Sequence, residues 1–102
     1  MDNNKLELAM DTLNKWGATP KEIQNVLPSY PDDEQEERVY CILSILNFLK
    51  VHFDNPKNRT GFMAMKNHNS FFEGRSPLEV ISTGSLDDLK EVEARVRNMG
   101  VW

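Results

Sequence analysis

The chain has 102 residues, of which 39% are apolar and 27% are charged, and its formal net charge at pH 7 is −4. A chain of this length can build one small domain with a modest core. It contains no run of eighteen apolar residues, its first residues lack the form of a signal peptide, and its single cysteine, Cys41, excludes an internal disulfide. These features predict a soluble, cytoplasmic protein without a membrane partner.

Two helices are predicted at the start of the chain. Apolar residues at three- and four-residue spacing indicate an amphipathic helix that ends at Gly17. These apolar positions are Leu6, Ala9, Met10, Leu13 and Trp16. The sequence Thr19-Pro20-Lys21-Glu22 is a capping box with proline at the first helical position, and it predicts a short helix that ends near Leu27. Pro28 and Pro31 indicate a turn after this helix.

The longest helix is predicted to begin at Asp32-Asp33-Glu34, because acidic side chains are favourable at a helix N-terminus. Its predicted buried face comprises Val39, Ile42, Leu43, Leu46, Leu49 and Phe53. Asp54-Asn55-Pro56 then ends this helix and caps the next one, which extends to Met63 or Met65. A polar loop is expected from Lys66 to Ser70.

The segment from Phe71 to Ser85 carries the densest set of local signals. The aromatic pair Phe71-Phe72 is followed by a turn at Gly74. Ser76-Pro77-Leu78-Glu79 is a second capping box and predicts a short helix. Gly84 is expected to end that helix in the left-handed conformation, and Ser85 to cap the last one.

The last helix is predicted from its apolar face and its end. The face comprises Leu89, Val92, Val96 and Met99. Gly100 is expected to end the helix, leaving Val101 and Trp102 beyond it. Since no alternating apolar run and no Asn-Gly hairpin turn occurs, we predict an all-α fold of five or six short helices packed around one long central helix.

The two halves of the chain carry different charges. Residues 1 to 38 contain nine acidic and four basic residues, whereas residues 39 to 102 contain seven acidic and eight basic residues. DNA-binding surfaces are normally basic, because Lys and Arg neutralise the phosphates. The acidic first half therefore argues against DNA binding there. The basic residues of the second half are scattered, as on an ordinary solvated surface.

The chain offers no set of residues for catalysis or metal binding. Neither His52 nor His68 has a cysteine or histidine neighbour at a metal-ligand spacing. Cys41 lies on an apolar helix and is expected to be a core residue. The acidic residues from 32 to 37 are expected to be a solvated helix start. We therefore predict that the protein is not an enzyme and holds no metal or cofactor.

The aromatic residues leave two interpretations open. Phe71 and Phe72 either join the core, which is expected of at least one of them, or contact a partner. Trp102 follows a helix-ending glycine at the last position, so it either folds back onto the core or is offered to a partner. Tryptophan is among the residues most enriched at interface hot spots.

Several of these motifs together resemble the C-terminal toxin-binding domain of the MbcA/ParS/Xre antitoxins. The resemblance covers residues 40 to 102. It is carried by Gly61-Phe62-Met63, by Phe71-Phe72-Glu73-Gly74-Arg75-Ser76-Pro77-Leu78, by Gly84 and by Gly100-Val101-Trp102. Upstream, Leu13 to Gly17 and Glu22 to Leu27 resemble the first two helices of the helix-turn-helix that precedes this domain in the family.

The resemblance implies a domain division and a function. Residues 1–31 would be a degenerate helix-turn-helix-like pair that dimerises, and residues 32–102 a toxin-binding helical domain, the two forming one compact unit. Members of the family are bacterial antitoxins of type II modules, and they block the active site of an NAD-using, RES-type toxin. The implied toxin-binding residues are Phe71, Phe72, Arg75, Arg95, Arg97, Gly100, Val101 and Trp102. The implied structural residues of the motif are Gly74, Ser76, Pro77 and Gly84.

The chain departs from the family in two places. The recognition helix is replaced by Pro28-Ser29-Tyr30-Pro31, in which two prolines prevent a helix. The last residues, from Asn98 to Trp102, are less basic than the tail of the family. Two alternatives to an antitoxin therefore stay open: a DNA-binding regulator of its own operon, and an orphan adaptor that binds another protein.

Overall fold

A computed structural model describes residues 3–28 and 34–99, without the side chain of Asn3. These two ranges contain six helices and no strand. The helices are α1 (Asn3–Trp16), α2 (Pro20–Val26), α3 (Gln35–His52), α4 (Pro56–Ala64), α5 (Pro77–Ile81) and α6 (Leu86–Arg97). The predicted all-α fold with a long central helix is confirmed. No helix in the described ranges has the length and apolar character needed to cross a membrane.

Most helices begin at the capping residues that the sequence predicts. Thr19 and Ser76 each form a capping box with the glutamate three residues later. Asn55 and Ser85 cap α4 and α6 through their side-chain oxygens. Gly84 has a φ of 86°, the left-handed conformation expected for it. Each capping bond joins residues two or three positions apart, so the local sequence is sufficient to predict it.

The predicted start of the longest helix is wrong. The structure begins α3 at Gln35 rather than at the aspartates, and Glu34 precedes it with helical backbone angles and no capping side-chain bond. Asp32 and Asp33 themselves lie outside the described residues. The end of α4 at Ala64 agrees with the prediction of Met63 or Met65, and Met65 itself is 66% exposed.

Helix α3 is buried over a wider arc than the predicted face. It packs most extensively against α6 and α1, which approach it from two sides. Its buried residues are Arg38, Val39, Cys41, Ile42, Ser44, Ile45 and Leu49. Leu43, Leu46 and Phe53 were predicted to be buried but are only half-buried. The 3.6-residue spacing of apolar residues in the sequence identifies a single buried stripe of a helix. Because both α6 and α1 pack against α3, a wider part of its surface is buried.

One hydrophobic core joins the N-terminal helices to the rest of the described chain. Leu13 and Trp16 of α1 belong to the same buried cluster as Ile42 of α3 and Val92 of α6. On the predicted face of α1, Ala9, Leu13 and Trp16 are buried and Leu6 is half-buried, whereas Met10 is 41% exposed. Residues from the predicted segments 1–31 and 32–102 therefore share one core.

Arg38 joins three segments at one end of α3, and we call this contact the Arg38 junction. Its Nη1 donates to the backbone oxygens of Val26 at 3.2 Å and Gly84 at 2.8 Å. Its Nη2 donates to the Glu34 carboxylate at 3.1 Å. Nearby, the amide of Asn25 donates to the backbone oxygen of Ser82 at 3.4 Å. The junction therefore fixes the end of α2 against the turn between α5 and α6.

Candidate partner-binding site

The loop between α4 and α5 is shaped by two asparagines. The side-chain oxygen of Asn69 accepts hydrogen bonds from the backbone amides of Phe71 and Phe72, at 3.0 and 2.9 Å. An isolated antiparallel bridge joins Asn67 to Arg75 across the loop. Asparagine side chains commonly bind backbone two residues ahead, which replaces the bonds of a regular helix or strand. The aromatic pair therefore stands on an ordered loop.

Arg75 closes this loop with its side chain. Its Nε donates to the backbone oxygen of Phe72 at 2.9 Å, and its Nη2 donates to that of Phe71 at 3.0 Å. The chain reverses just before it, at Glu73 with a φ of 53° and Gly74 with a φ of 86°. A role in partner binding was predicted for Arg75. The structure shows that its guanidinium also holds the aromatic pair in place.

Phe71, Phe72 and Arg95 form one cluster, which we call the aromatic lip. The two rings meet edge to face, with centroids 4.9 Å apart. The guanidinium carbon of Arg95 lies 4.8 Å from the Phe71 centroid and 5.8 Å from that of Phe72. Phe72 is buried in the core and Phe71 is half-buried. The prediction that at least one of the pair joins the core is confirmed.

A groove of about 310 Å³ lies beside the aromatic lip. Its walls are mainly apolar, and polar side chains lie among them. The apolar residues include Phe62, Phe72, Pro77, Val92 and Met99, and the polar ones include Asn67, Asn69, Glu91 and Arg95. An apolar groove with a few convergent polar groups is the usual form of a binding site. This groove can accept an apolar side chain of a partner and offers it a cation at the edge.

Arg95 and Arg97 lie in different environments although both were predicted to contact the partner. Arg95 forms an exposed ion pair with Glu91 at 2.7 Å and stands over the aromatic rings. Arg97 pairs at 3.3 Å with Glu93, a buried carboxylate that accepts a hydrogen bond of 2.6 Å from Ser44. The structure therefore brings Phe71, Phe72, Arg75 and Arg95 together, and it does not place Arg97 with them.

The predicted tail residues Gly100, Val101 and Trp102 lie outside the described residues. Met99, which precedes them in the chain, lines the groove beside the aromatic lip. The four structural residues of the motif all occupy local positions of the expected type. Gly74 and Gly84 have positive φ, Ser76 caps α5, and Pro77 is its first residue.

The described residues contain no group of three or more ligating side chains that could hold a metal ion. His52 and His68 are both exposed, and Cys41 is buried as predicted. Burial raises the pKa of the Cys41 thiol to about 11, and the carboxylates of Glu93 and Glu37 act in the same direction. This thiol is protonated at neutral pH, so it is a poor nucleophile.

Comparison with known protein families, with curated proteins and with solved structures finds no match to this chain.

Several residues of this site were not predicted from the sequence. Asn69, Glu91 and the groove position of Phe62 were not among the predicted contacts. A local signal existed for Asn69, because an asparagine two residues before an aromatic pair favours a side-chain turn. Glu91 lies four residues before Arg95, a spacing that pairs opposite charges on a helix. Phe62 had no local signal for this position, because it joins residues of α6 at the groove only in the tertiary structure.

Proposed function

We propose that this protein is an antitoxin-like partner of a toxin, and that it blocks the active site of an NAD-using, RES-type enzyme. The proposal rests on the resemblance described above. It is supported by one structural observation: Phe71, Phe72, Arg75 and Arg95 converge beside one apolar groove. These are four of the residues that the resemblance implies for toxin binding.

The physical chemistry of the aromatic lip suits a protein partner. Phenylalanine and arginine are enriched in the cores of interfaces, and an aromatic ring buries a large area with few rotatable bonds. Half-buried Phe71 is held by the loop, so little side-chain entropy is lost on binding. Arg95 retains donors beyond the one used for Glu91, and these can meet an acidic group or a pyrophosphate pocket of the toxin.

The tail forms the second part of the proposal. Gly100, Val101 and Trp102 follow Met99, and we propose that Trp102 enters an apolar pocket at the active-site entrance of the toxin. Deletion of Val101 and Trp102 should then abolish toxin neutralisation while the fold, measured by circular dichroism, is retained. Full neutralisation by the shortened chain would refute this part alone and leave the aromatic lip as the contact.

The proposal is tested by co-expressing the tagged chain with its neighbouring reading frame. We expect a stable complex, and an NAD-consuming activity of the partner that falls as this chain is added. A partner whose NAD consumption is indifferent to the chain would contradict the proposal. The next measurement would then be DNA binding at low salt, because a regulator would show affinity that falls steeply as salt rises.

A matched pair of substitutions locates the contact. Arg95→Ala and Arg97→Ala each remove an arginine of α6 that pairs with a glutamate four residues earlier. If the aromatic lip is the contact, Arg95→Ala should weaken toxin binding by about tenfold or more, a typical hot-spot effect. Arg97→Ala should weaken it less, once any loss of folding stability is measured separately. Equal effects would show that the contact extends around α6.

A further inference from the structure

The outward face of α3 carries a symmetric pattern of charge and apolar surface. Glu36, Leu43 and Lys50 are spaced seven residues apart, so they share one stripe of the helix. This stripe is opposite the buried side of α3, where Ile42 and Ile45 have no exposed surface. Beside it, Tyr40 is 67% exposed. We call the exposed surface of Glu36, Tyr40, Leu43, Asn47 and Lys50 the α3 face.

A groove of about 610 Å³ runs along this face. It is lined by Lys5 of α1 and by Glu36, Val39, Tyr40, Leu43, Ser44, Asn47 and Phe48 of α3, and Lys50 is not among its lining residues. It shares no lining residue with the groove beside the aromatic lip. A partner in one groove therefore contacts a different set of side chains from a partner in the other.

The two charges at the ends of the α3 face are available for a partner. Within the described residues neither Glu36 nor Lys50 forms an ion pair. Neighbouring Glu37, in contrast, is paired with Lys90 at 2.8 Å. The face thus ends in an acid on one side of Leu43 and a base on the other, each about 10.5 Å from it along the helix axis.

We infer that the α3 face pairs with the same face of a second copy of this chain, antiparallel and about a two-fold axis at Leu43. That arrangement sets Glu36 opposite Lys50 of the second copy at both ends. A two-fold interface must be self-complementary, and a face with an acid and a base at equal distances from its centre meets this requirement. A parallel pairing would instead set like charges against each other.

The charge pattern favours the α3 face as the dimer interface over the N-terminal helices, for which dimerisation was predicted from the sequence. The N-terminal helices also carry a groove, of about 420 Å³, lined by Leu6, Met10, Ile23 and Leu27 among others. No charged side chain lines that groove in the part of the chain that the structure describes. It therefore lacks the complementary charges that set the register of a two-fold pair.

The first test is sedimentation equilibrium of the full chain from micromolar to millimolar concentration. We expect a monomer–dimer equilibrium that Tyr40→Lys weakens about tenfold or more, because the change places a charge within the apolar centre. The new lysine lies four residues after Glu36, a spacing that supports the helix. Met65→Lys, at an apolar residue of similar exposure outside the α3 face, should leave the equilibrium unchanged.

Charge reversal tests the antiparallel register. Glu36→Lys and Lys50→Glu each turn two attractive pairs into two repulsive ones, so each should weaken self-association about tenfold. An equimolar mixture of the two variants should regain wild-type association, since a mixed dimer restores both pairs. The double variant should regain it as well. In a parallel dimer like charges would oppose each other in the wild type and in every variant, so neither single reversal would weaken association and the mixture would associate more strongly than the wild type.

Four outcomes would overturn the inference. The chain could stay monomeric at every concentration. Tyr40→Lys could match Met65→Lys, or neither charge reversal could change association. Met10→Lys, in the groove of the N-terminal helices, could dissociate the dimer while Tyr40→Lys does not, which would assign the interface to α1 and α2. None of these outcomes depends on a toxin, so they are independent of the proposed function.

Discussion

The Arg38 junction and the aromatic lip are both organised by arginines, but they use them in opposite ways. The side chain of Arg38 is 10% exposed, and its two Nη groups donate to two backbone oxygens and one carboxylate, while its buried Nε has no partner among the described residues. The side chain of Arg95 is 39% exposed, and it lies over aromatic rings with one ion pair. A buried guanidinium must be paired internally, whereas an exposed one can exchange its partners. We therefore expect the first region to contribute folding stability, whereas the second is the one that we propose for binding.

Arg38→Ala is expected to have the largest effect on stability. It leaves the backbone oxygens of Val26 and Gly84 without their donor and opens a cavity at the end of α3. Removing a charged hydrogen-bonding partner from a buried site costs about 3 kcal/mol. The midpoint of urea denaturation measures this loss. A loss below about 1 kcal/mol would mean that the junction is not a major source of stability, and the contrast with the aromatic lip would fail.

Gly84→Ala tests the same junction through its backbone. Gly84 has a φ of 86°, and a Cβ there would lie 2.8 Å from the backbone oxygen of Asn25. Both the left-handed conformation and the clash are unfavourable, so we expect a loss of about 2 kcal/mol in the free energy of unfolding.

The matched control for Gly84→Ala is Gly61→Ala. Gly61 lies inside α4, and a Cβ there would meet nothing within 4 Å. Alanine is a better helix former than glycine, so this change should stabilise the protein by about 0.5–1 kcal/mol. Thermal unfolding compares the two variants directly. Similar effects of both substitutions would show that helix propensity, and not the close approach of α2, decides the result.

Glu79 gives a pH-dependent test of the segment that joins the aromatic lip to α5. A hydrogen bond from the backbone amide of Ser76 is the main cause that lowers the pKa of the Glu79 carboxyl below its ordinary value. Its stabilising contribution is therefore present above the ordinary pKa and is lost as pH falls through the lowered value. Glu79→Gln should destabilise the protein at pH 7, and the difference from wild type should shrink at about pH 3. A difference independent of pH would contradict the role of the charge.

Arg95→Ala is expected to have the smallest effect on stability. Its ion pair with Glu91 is exposed on both sides, and such pairs contribute about 0.5 kcal/mol. The same substitution should have a large effect on partner binding, as stated above. If chemical denaturation shows that Arg95→Ala lowers the free energy of unfolding as much as Arg38→Ala does, Arg95 contributes mainly to the fold. The contrast between the two regions would then be wrong.

The helices could be predicted from sequence because their signals are local. Thr19, Asn55, Ser76 and Ser85 cap helices through bonds to residues two or three positions ahead, and these bonds depend on little else. The start of α3 was wrong because acidic residues favour a helix N-terminus without fixing the residue at which it begins. All five described residues for which the motif resemblance implies partner contact were named from the sequence, and the structure groups four of them, Phe71, Phe72, Arg75 and Arg95, together.

The Arg38 junction could not be predicted, although one signal was present. Arg38 shares its helix face with Ile42, Ile45 and Leu49, and a cation in a buried stripe requires acceptors. The acceptors are backbone oxygens of Val26 and Gly84, twelve and forty-six residues away. Every residue has a backbone oxygen, so no side-chain pattern identifies which of them a distant arginine will reach.

The sequence by itself determined the helical class, most helix boundaries and the ordered turn that carries the aromatic pair, because capping, helical periodicity and glycine conformation act over a few residues. Only the tertiary structure decided that Arg95 faces the aromatic rings while Arg97 reaches a buried carboxylate, and that α3 is covered on two sides but keeps one charged and apolar face exposed. Those outcomes depend on how helices distant in sequence pack, and packing selects among faces that local signals leave equivalent.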